Sequence, residues 1–155
     1  MKFLGVILLF SFLTGCGSLH QHVGKIPESI NVEDYSNIDL QKNEFSTIIC
    51  AEGDRRYYFL GTSKPSLSLT FKDEGFKLFK SSYDAVRLNS EKRSFELRFD
   101  YKDQFAVFRV NNFDFKPGVT YYAKYSISTY KSVKIWIEKS DGEVVYGKKP
   151  EDGQF

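Results

Sequence analysis

Ser94-Phe95-Glu96-Leu97-Arg98-Phe99-Asp100 alternates large apolar side chains with polar and charged ones at a period of two. Successive side chains of a strand point to opposite faces, so this stretch reads as a strand with one buried and one wet face. The same alternation recurs on both sides of it. Upstream, Leu67, Leu69 and Phe71 alternate with Ser66, Ser68 and Thr70, and Val86 and Leu88 mark a further short strand. Downstream, Val133, Ile135 and Ile137 alternate with Ser132, Lys134 and Glu138, which leaves Trp136 on the polar side.

Turn signals separate these runs. Phe45 to Ala51, then Glu52-Gly53-Asp54, then Arg55 to Gly61 reads as strand, turn, strand, and Asp73-Glu74-Gly75 turns the chain into Phe76 to Lys80. Gln104 to Val110 follows as a strand, Lys116-Pro117-Gly118 as a turn, and Val119 to Thr129 as a long strand. Ser140-Asp141-Gly142 carries an Asp-Gly hairpin signal, with Glu143 to Tyr146 returning. About ten strands with turns every 8–12 residues, and no amphipathic helix, predict an all-β domain: an antiparallel sandwich, or a barrel-like variant of it.

The N-terminus has a different character. Met1-Lys2 supplies one positive charge, and an apolar run follows from Phe3 to Leu13. It falls short of the roughly 20 residues a membrane-crossing helix needs, and it ends in Leu13-Thr14-Gly15-Cys16. A basic start, an apolar centre and small residues at the end describe an export signal, cleaved near Gly15 or Gly17 in the ordinary case. Leu-Thr-Gly-Cys resembles the lipobox of bacterial lipoproteins. That resemblance implies a diacylglyceryl group on the Cys16 sulfur and cleavage before Cys16. It further implies acylation of the new N-terminal amine, and two chains give stable anchoring. Residue 17 is Gly rather than the Asp that resembles an inner-membrane retention signal. Outer-membrane placement facing the periplasm is therefore expected in a host with two membranes.

The expected organisation is a signal peptide over 1–15, a lipidated N-terminus and tether over 16–44, a β domain over 45–146, and a loose charged tail over 147–155. Residues 16–155 number 140, enough for one domain with its own core. Only Lys2 is lost from the charges, taking the formal net charge from +2 to +1. A near-neutral exported chain does not fit an electrostatic nucleic-acid binder. With Cys16 in a thioether, Cys50 is the one thiol left and no internal disulfide can form. Apolar burial must hold the domain, and the 12 Phe and 10 Tyr of residues 16–155 can supply it. Phe115-Lys116-Pro117-Gly118-Val119-Thr120-Tyr121-Tyr122 loosely resembles a segment of small β-sandwich lipoproteins of uncharacterised function, where a Pro-Gly turn introduces an aromatic strand. The resemblance supports the fold and implies no activity.

Residues that carry chemistry are sparse. Both histidines, His20 and His22, lie in the expected tether without a companion cysteine or carboxylate cluster, and read as solvated. From Phe45 onward there is no histidine, so Ser-His-Asp and Cys-His arrangements are unavailable there. Ser128-Thr129-Tyr130-Lys131 fits Ser-x-x-Lys, but the Ser-Asp-Asn and Lys-Thr-Gly elements that accompany it in penicillin-interacting enzymes are missing. Tyr130 and Lys134 fit Tyr-x-x-x-Lys, yet in strand and turn such side chains do not meet as they do on a helix. Cys50, behind Ile48 and Ile49, reads as a buried inert thiol, and Asp100, Asp103 and Asp114 as turn carboxylates. No metal site or cofactor is expected.

Tyr121, Tyr122, Tyr125, Tyr130 and Trp136 are the remaining candidates. On a wet face they would form a platform for a glycan or a protein; paired across strands they would simply stabilise the sheet. The expectation is a non-enzymatic, membrane-anchored envelope protein that binds or scaffolds a partner. A glycan-binding or enzyme-inhibitory module is the alternative, and a hydrolase fits least.

Overall fold

A computed structural model describes residues 22–42, 44–54, 56–58, 61–72, 82–102, 104–127 and 132–151. Among them the chain is all-β, without a helix. In chain order the strands are β1 (His22–Val23), β2 (Glu33–Asp34), β3 (Phe45–Cys50), β4 (Arg56–Tyr58), β5 (Gly61–Ser63) and β6 (Ser66–Phe71). They continue with β7 (Ala85–Asn89), β8 (Lys92–Tyr101), β9 (Gln104–Asp114), β10 (Thr120–Ile127), β11 (Val133–Lys139) and β12 (Val144–Gly147).

The larger sheet runs β12-β11-β10-β3-β7-β2, and the smaller runs β6-β8-β9. β4 and β5 form a separate two-stranded ribbon. On the free flank of β10, β3 pairs with Thr120 to Ala123, and β1 takes over at Ser126 and Ile127. The two sheets meet at β6. Its outer edge bonds the chain beyond β3 through Leu67 N–H to the Ala51 carbonyl, and Tyr83 through reciprocal bonds with Leu69. They do not close into a barrel.

Two expectations are corrected here. The large sheet is mixed rather than antiparallel, because β10 lies parallel to β3 and β2 parallel to β7. Parallel neighbours need a long crossover, and between β3 and β10 the whole smaller sheet supplies it. Nor is the second strand of the 45–61 stretch, read from Arg55 to Gly61, a partner of the first or a single strand: β4 (Arg56–Tyr58) pairs with β5 (Gly61–Ser63), whereas β3 pairs with β7 and β10.

The alternation seen in the sequence holds at the level of burial. Leu67, Leu69 and Phe71 of β6, and Phe95, Leu97 and Phe99 of β8, all point into one core with Ile48, Val86, Leu88, Tyr121, Tyr125 and Ile137 of the larger sheet. Its centre is aromatic. Phe95 touches Phe71, Phe113 and Phe115 at centroid separations of 5.9, 5.8 and 5.7 Å, and Tyr121 meets Phe113 and Phe115 at 5.2 and 5.6 Å. Most of these pairs are tilted or edge-on, the arrangement that suits the ring quadrupoles. The Lys116-Pro117-Gly118 turn forms as read, with Gly118 at φ 71° and Val119 N–H on the Lys116 carbonyl.

The expected tether is in large part domain. Tyr35 is 1% exposed, lies 4.6 Å from the Phe71 ring and sits beneath the Arg93 guanidinium at 4.8 Å. Asp34 takes two bonds from Arg87, and the Asn89 amide clamps Asp39 through both its N–H and its carbonyl. A two-residue strand and a clamped turn have no period, so pattern alone could not separate them from linker. The expected tail is likewise anchored at its start. Gly147 pairs with Trp136, and Lys149 reaches Glu138 at 3.5 Å.

Phe95→Ala should cost about 3–5 kcal/mol, because it empties the centre of a close-packed cluster. Chemical denaturation should show the midpoint falling with an unchanged slope.

Candidate functional site

The strand alternation of β10 divides the candidate aromatics between its two faces. Tyr121 and Tyr125 point inward and are fully buried. The Tyr121 hydroxyl accepts from the Lys116 N–H at 3.0 Å, and the Tyr125 hydroxyl donates to the Pro65 carbonyl at 3.2 Å. Gly24 and Gly53 both press on Tyr125; a Cβ on Gly24 would lie 2.4 Å from its ring. Tyr122 is on the outer face and half-buried, and Tyr130 falls outside the described residues.

Trp136 does lie on the outer face, opposite Lys124 of β10, yet it is 1% exposed. Its indole N–H donates to Glu138 Oε2 at 2.9 Å. Glu138 is itself buried and held by Lys124 at 2.5 Å, with Lys149 at 3.5 Å on its other oxygen. Burial pushes the Glu138 carboxyl up, but the bonds from Lys124 and Trp136 outweigh it and hold the group below its ordinary value. The expected platform of Tyr121, Tyr122, Tyr125, Tyr130 and Trp136 is thus not formed. Two of its rings belong to the core, and the tryptophan is sealed by charges that alternation would place in water.

A concave feature lies elsewhere, on the side where the two sheets stay apart. A cleft of 370 Å³ opens between the far end of β9 and strands β10 to β12. Asn111, Asn112, Phe113, Asp114, Lys116, Tyr121, Lys139, Val145 and Tyr146 line it. Two bulges shape its walls. On β9, Asn111 and Asn112 together oppose Ser94, so the pairing skips from Arg93–Phe113 to Phe95–Val110. Asn112 takes φ 51°, a left-handed conformation that asparagine tolerates better than most residues, and its N–H bonds Ser94 Oγ at 3.0 Å. On β12, Val145 is the extra residue between the Ile137–Tyr146 and Glu138–Val144 pairs. The Tyr146 hydroxyl then reaches across the seam to the Arg109 carbonyl at 3.1 Å.

The cleft's charges are matched locally. Lys116 binds Asp114 at 2.5 Å and Lys139 binds Glu143 at 2.5 Å. The bond from Lys116 holds the Asp114 carboxyl below its ordinary range, and the bond to Glu143 raises Lys139. Both shifts lock in the charged form, whereas an acid or base working near neutrality needs the reverse. What the cleft offers is hydrogen bonding from two amides beside the Tyr146 ring, in a volume at the lower end for small-ligand sites.

The other candidates resolve simply. Cys50 is buried within 4.0 Å of the Tyr83 carbonyl, and burial, helped by the charge of Asp84, pushes its thiol well up. Asp100 is chelated by Arg98, and Asp103 is outside the described residues, as are His20 and residues 128–131. His22 is half-buried in β1, packed near Gly53, rather than solvated in a tether. Among the described residues no three His, Cys, Asp or Glu side chains gather as a metal site. In the sequence this strand reads as ending at Val110, so the continuation of β9 through Asn111 and Asn112 to Asp114, with the bulge within it, goes unread there. Comparison with known proteins finds no matching family model, curated protein or solved structure.

Asn112→Ala should destabilise the domain by about 1–2 kcal/mol through left-handed strain, and Asn112→Gly should be close to neutral. Thermal unfolding of the two variants checks this. Glu138→Gln should cost about 1–3 kcal/mol at neutral pH by weakening bonds to a charged group. Since the folded-state carboxyl is depressed, its contribution is complete above the ordinary carboxylate value and is lost as pH falls through the lower folded-state value. The gap between wild type and Glu138→Gln should therefore close in acid, read from the fluorescence of the single tryptophan.

Proposed function

We propose that this chain is a bacterial envelope lipoprotein: a sandwich-like β domain, anchored through acyl chains on Cys16, that binds or scaffolds a partner without catalysis. The observation that carries the reading is Leu13-Thr14-Gly15-Cys16 closing a short apolar run behind a basic start. In a host with two membranes the anchor belongs in the outer membrane, facing the periplasm, since Gly17 stands where a retention signal would put Asp.

The cleft supports binding rather than turnover. Its carboxylate and ammonium groups are satisfied by one another, and their shifts oppose proton transfer near neutrality. The two amides of Asn111 and Asn112 beside the ring of Tyr146 favour a second reading, in which the partner is an envelope glycan presenting hydroxyl and amide groups.

Cys16→Ser tests the anchor. The wild-type protein should fractionate with membranes and carry the added mass of its acyl chains, and the variant should lose both. A membrane fraction and mature mass that stay the same in the variant would overturn the reading.

A further inference from the structure

The strand register separates the molecule into two poles. β10 runs from Thr120, beside Thr47 and the Gly118 turn, to Ile127, beside His22. At the first pole stand the Asn89–Lys92 connection, the Lys116–Val119 turn and the Lys139–Glu143 turn, and the cleft opens there. At the second pole, Gly53 bonds Pro65, Ser66 pairs with Asp100, Tyr101 with Gln104, and Lys102 N–H with Ser63 Oγ. β1, the first described element, enters the fold at this second pole.

Covalent geometry then constrains where a lipid on Cys16 leaves the domain. Five residues, 17–21, stand between Cys16 and His22, and whatever their conformation they span at most about 20 Å. The second pole is therefore tied within about 20 Å of the anchor, nearer to the bilayer than the first pole.

The surface of that pole has the composition such a position calls for. Lys25, Lys64 and Lys102 are exposed on it. Phe105 is 63% exposed and Val23 41%, and Tyr101 lies under the Lys102 ammonium at 5.3 Å. Among the described residues its acids are Glu52, Asp54 and Asp100, of which Glu52 is paired with Lys64 and Asp100 with Arg98. Basic side chains beside exposed aromatic and aliphatic ones suit an anionic bilayer surface, where charge draws the domain in and the rings enter the interface.

We infer that the pole bearing Val23, Lys25, Lys64, Tyr101, Lys102 and Phe105 docks on the anionic phospholipid headgroups of the membrane that holds Cys16, turning the Asn111–Tyr146 cleft away from the bilayer. The inference rests on the acylation of Cys16 proposed above. It adds that the domain is held in one orientation by its own surface rather than free on its anchor.

Ser132 and Ser140 flank β11 at opposite ends, both exposed and about 26 Å apart along an extended strand. The mature lipidated protein is made as Ser132→Cys and as Ser140→Cys, labelled with a donor dye at that cysteine, Cys50 being buried. Each is incorporated into vesicles of phosphatidylethanolamine and phosphatidylglycerol carrying a headgroup acceptor dye. Energy transfer should be several-fold stronger from position 132 than from 140. The difference should collapse when Lys25, Lys64 and Lys102 are all changed to Glu, with tryptophan fluorescence confirming that the variant is folded. Equal transfer from both positions overturns the docking surface. So does a difference that survives the charge reversal, since the anchor alone would then account for it. Mass spectrometry of the same samples separates the two readings: acyl mass with equal transfer removes the docking surface only, and absent acyl mass removes both.

Discussion

Phe95 holds contact with Phe71, Phe113 and Phe115, and through them with Tyr35 and Tyr121. These rings come from both sheets, from the β9–β10 corner and from the segment just after β2, so one cluster ties every large part of the fold together. The dependence follows from composition. Cys50 is the only described cysteine and it is free, so no covalent staple is available among the described residues. Large apolar areas have to provide what disulfides provide in many other small domains. Ring pairs are also directional, which fixes the sheets relative to one another more sharply than aliphatic packing would.

The same cluster explains why the cleft is where it is. The sheets join at β6, where Ala51 and Tyr83 bond its outer edge, and they stay separate at the opposite side, between β9 and β12. Phe113 and Tyr121 fill the base of that seam, and bulges at Asn111–Asn112 and Val145 bend the strands around its mouth. Bulges collect at sheet edges because an extra residue can be accommodated only where the ladder is free to bend. The cleft is thus a consequence of leaving the sheets open on one side.

A second constraint acts on the outer face of the larger sheet. Trp136 and Glu138 are buried there, and the carboxylate accepts from the indole and pairs with the half-buried Lys124 and the exposed Lys149. A buried charge is costly unless its partners satisfy it, and here three do. Residues after β12 are thereby bound to the sheet, and the face that alternation marks as wet loses its largest ring to the interior.

Local pattern determined much of this protein. The alternation of Phe95, Leu97 and Phe99, and of Leu67, Leu69 and Phe71, established the β class and its core face, because strand geometry links a period of two directly to burial. The Pro117-Gly118 and Asp141-Gly142 turns were legible for the same reason: turn chemistry is local. Tertiary structure alone decided the parallel pairing of β3 with β10, the incorporation of Tyr35 and Asp39, and the fate of the aromatic candidates. Each depends on partners distant in the chain. Arg87 and Asn89 hold residues 34–39, and Glu138 holds Trp136 between two lysines that lie on different strands or beyond them. A side chain's own neighbours in sequence assign it a face, but only the segments that come to cover that face decide whether it meets water.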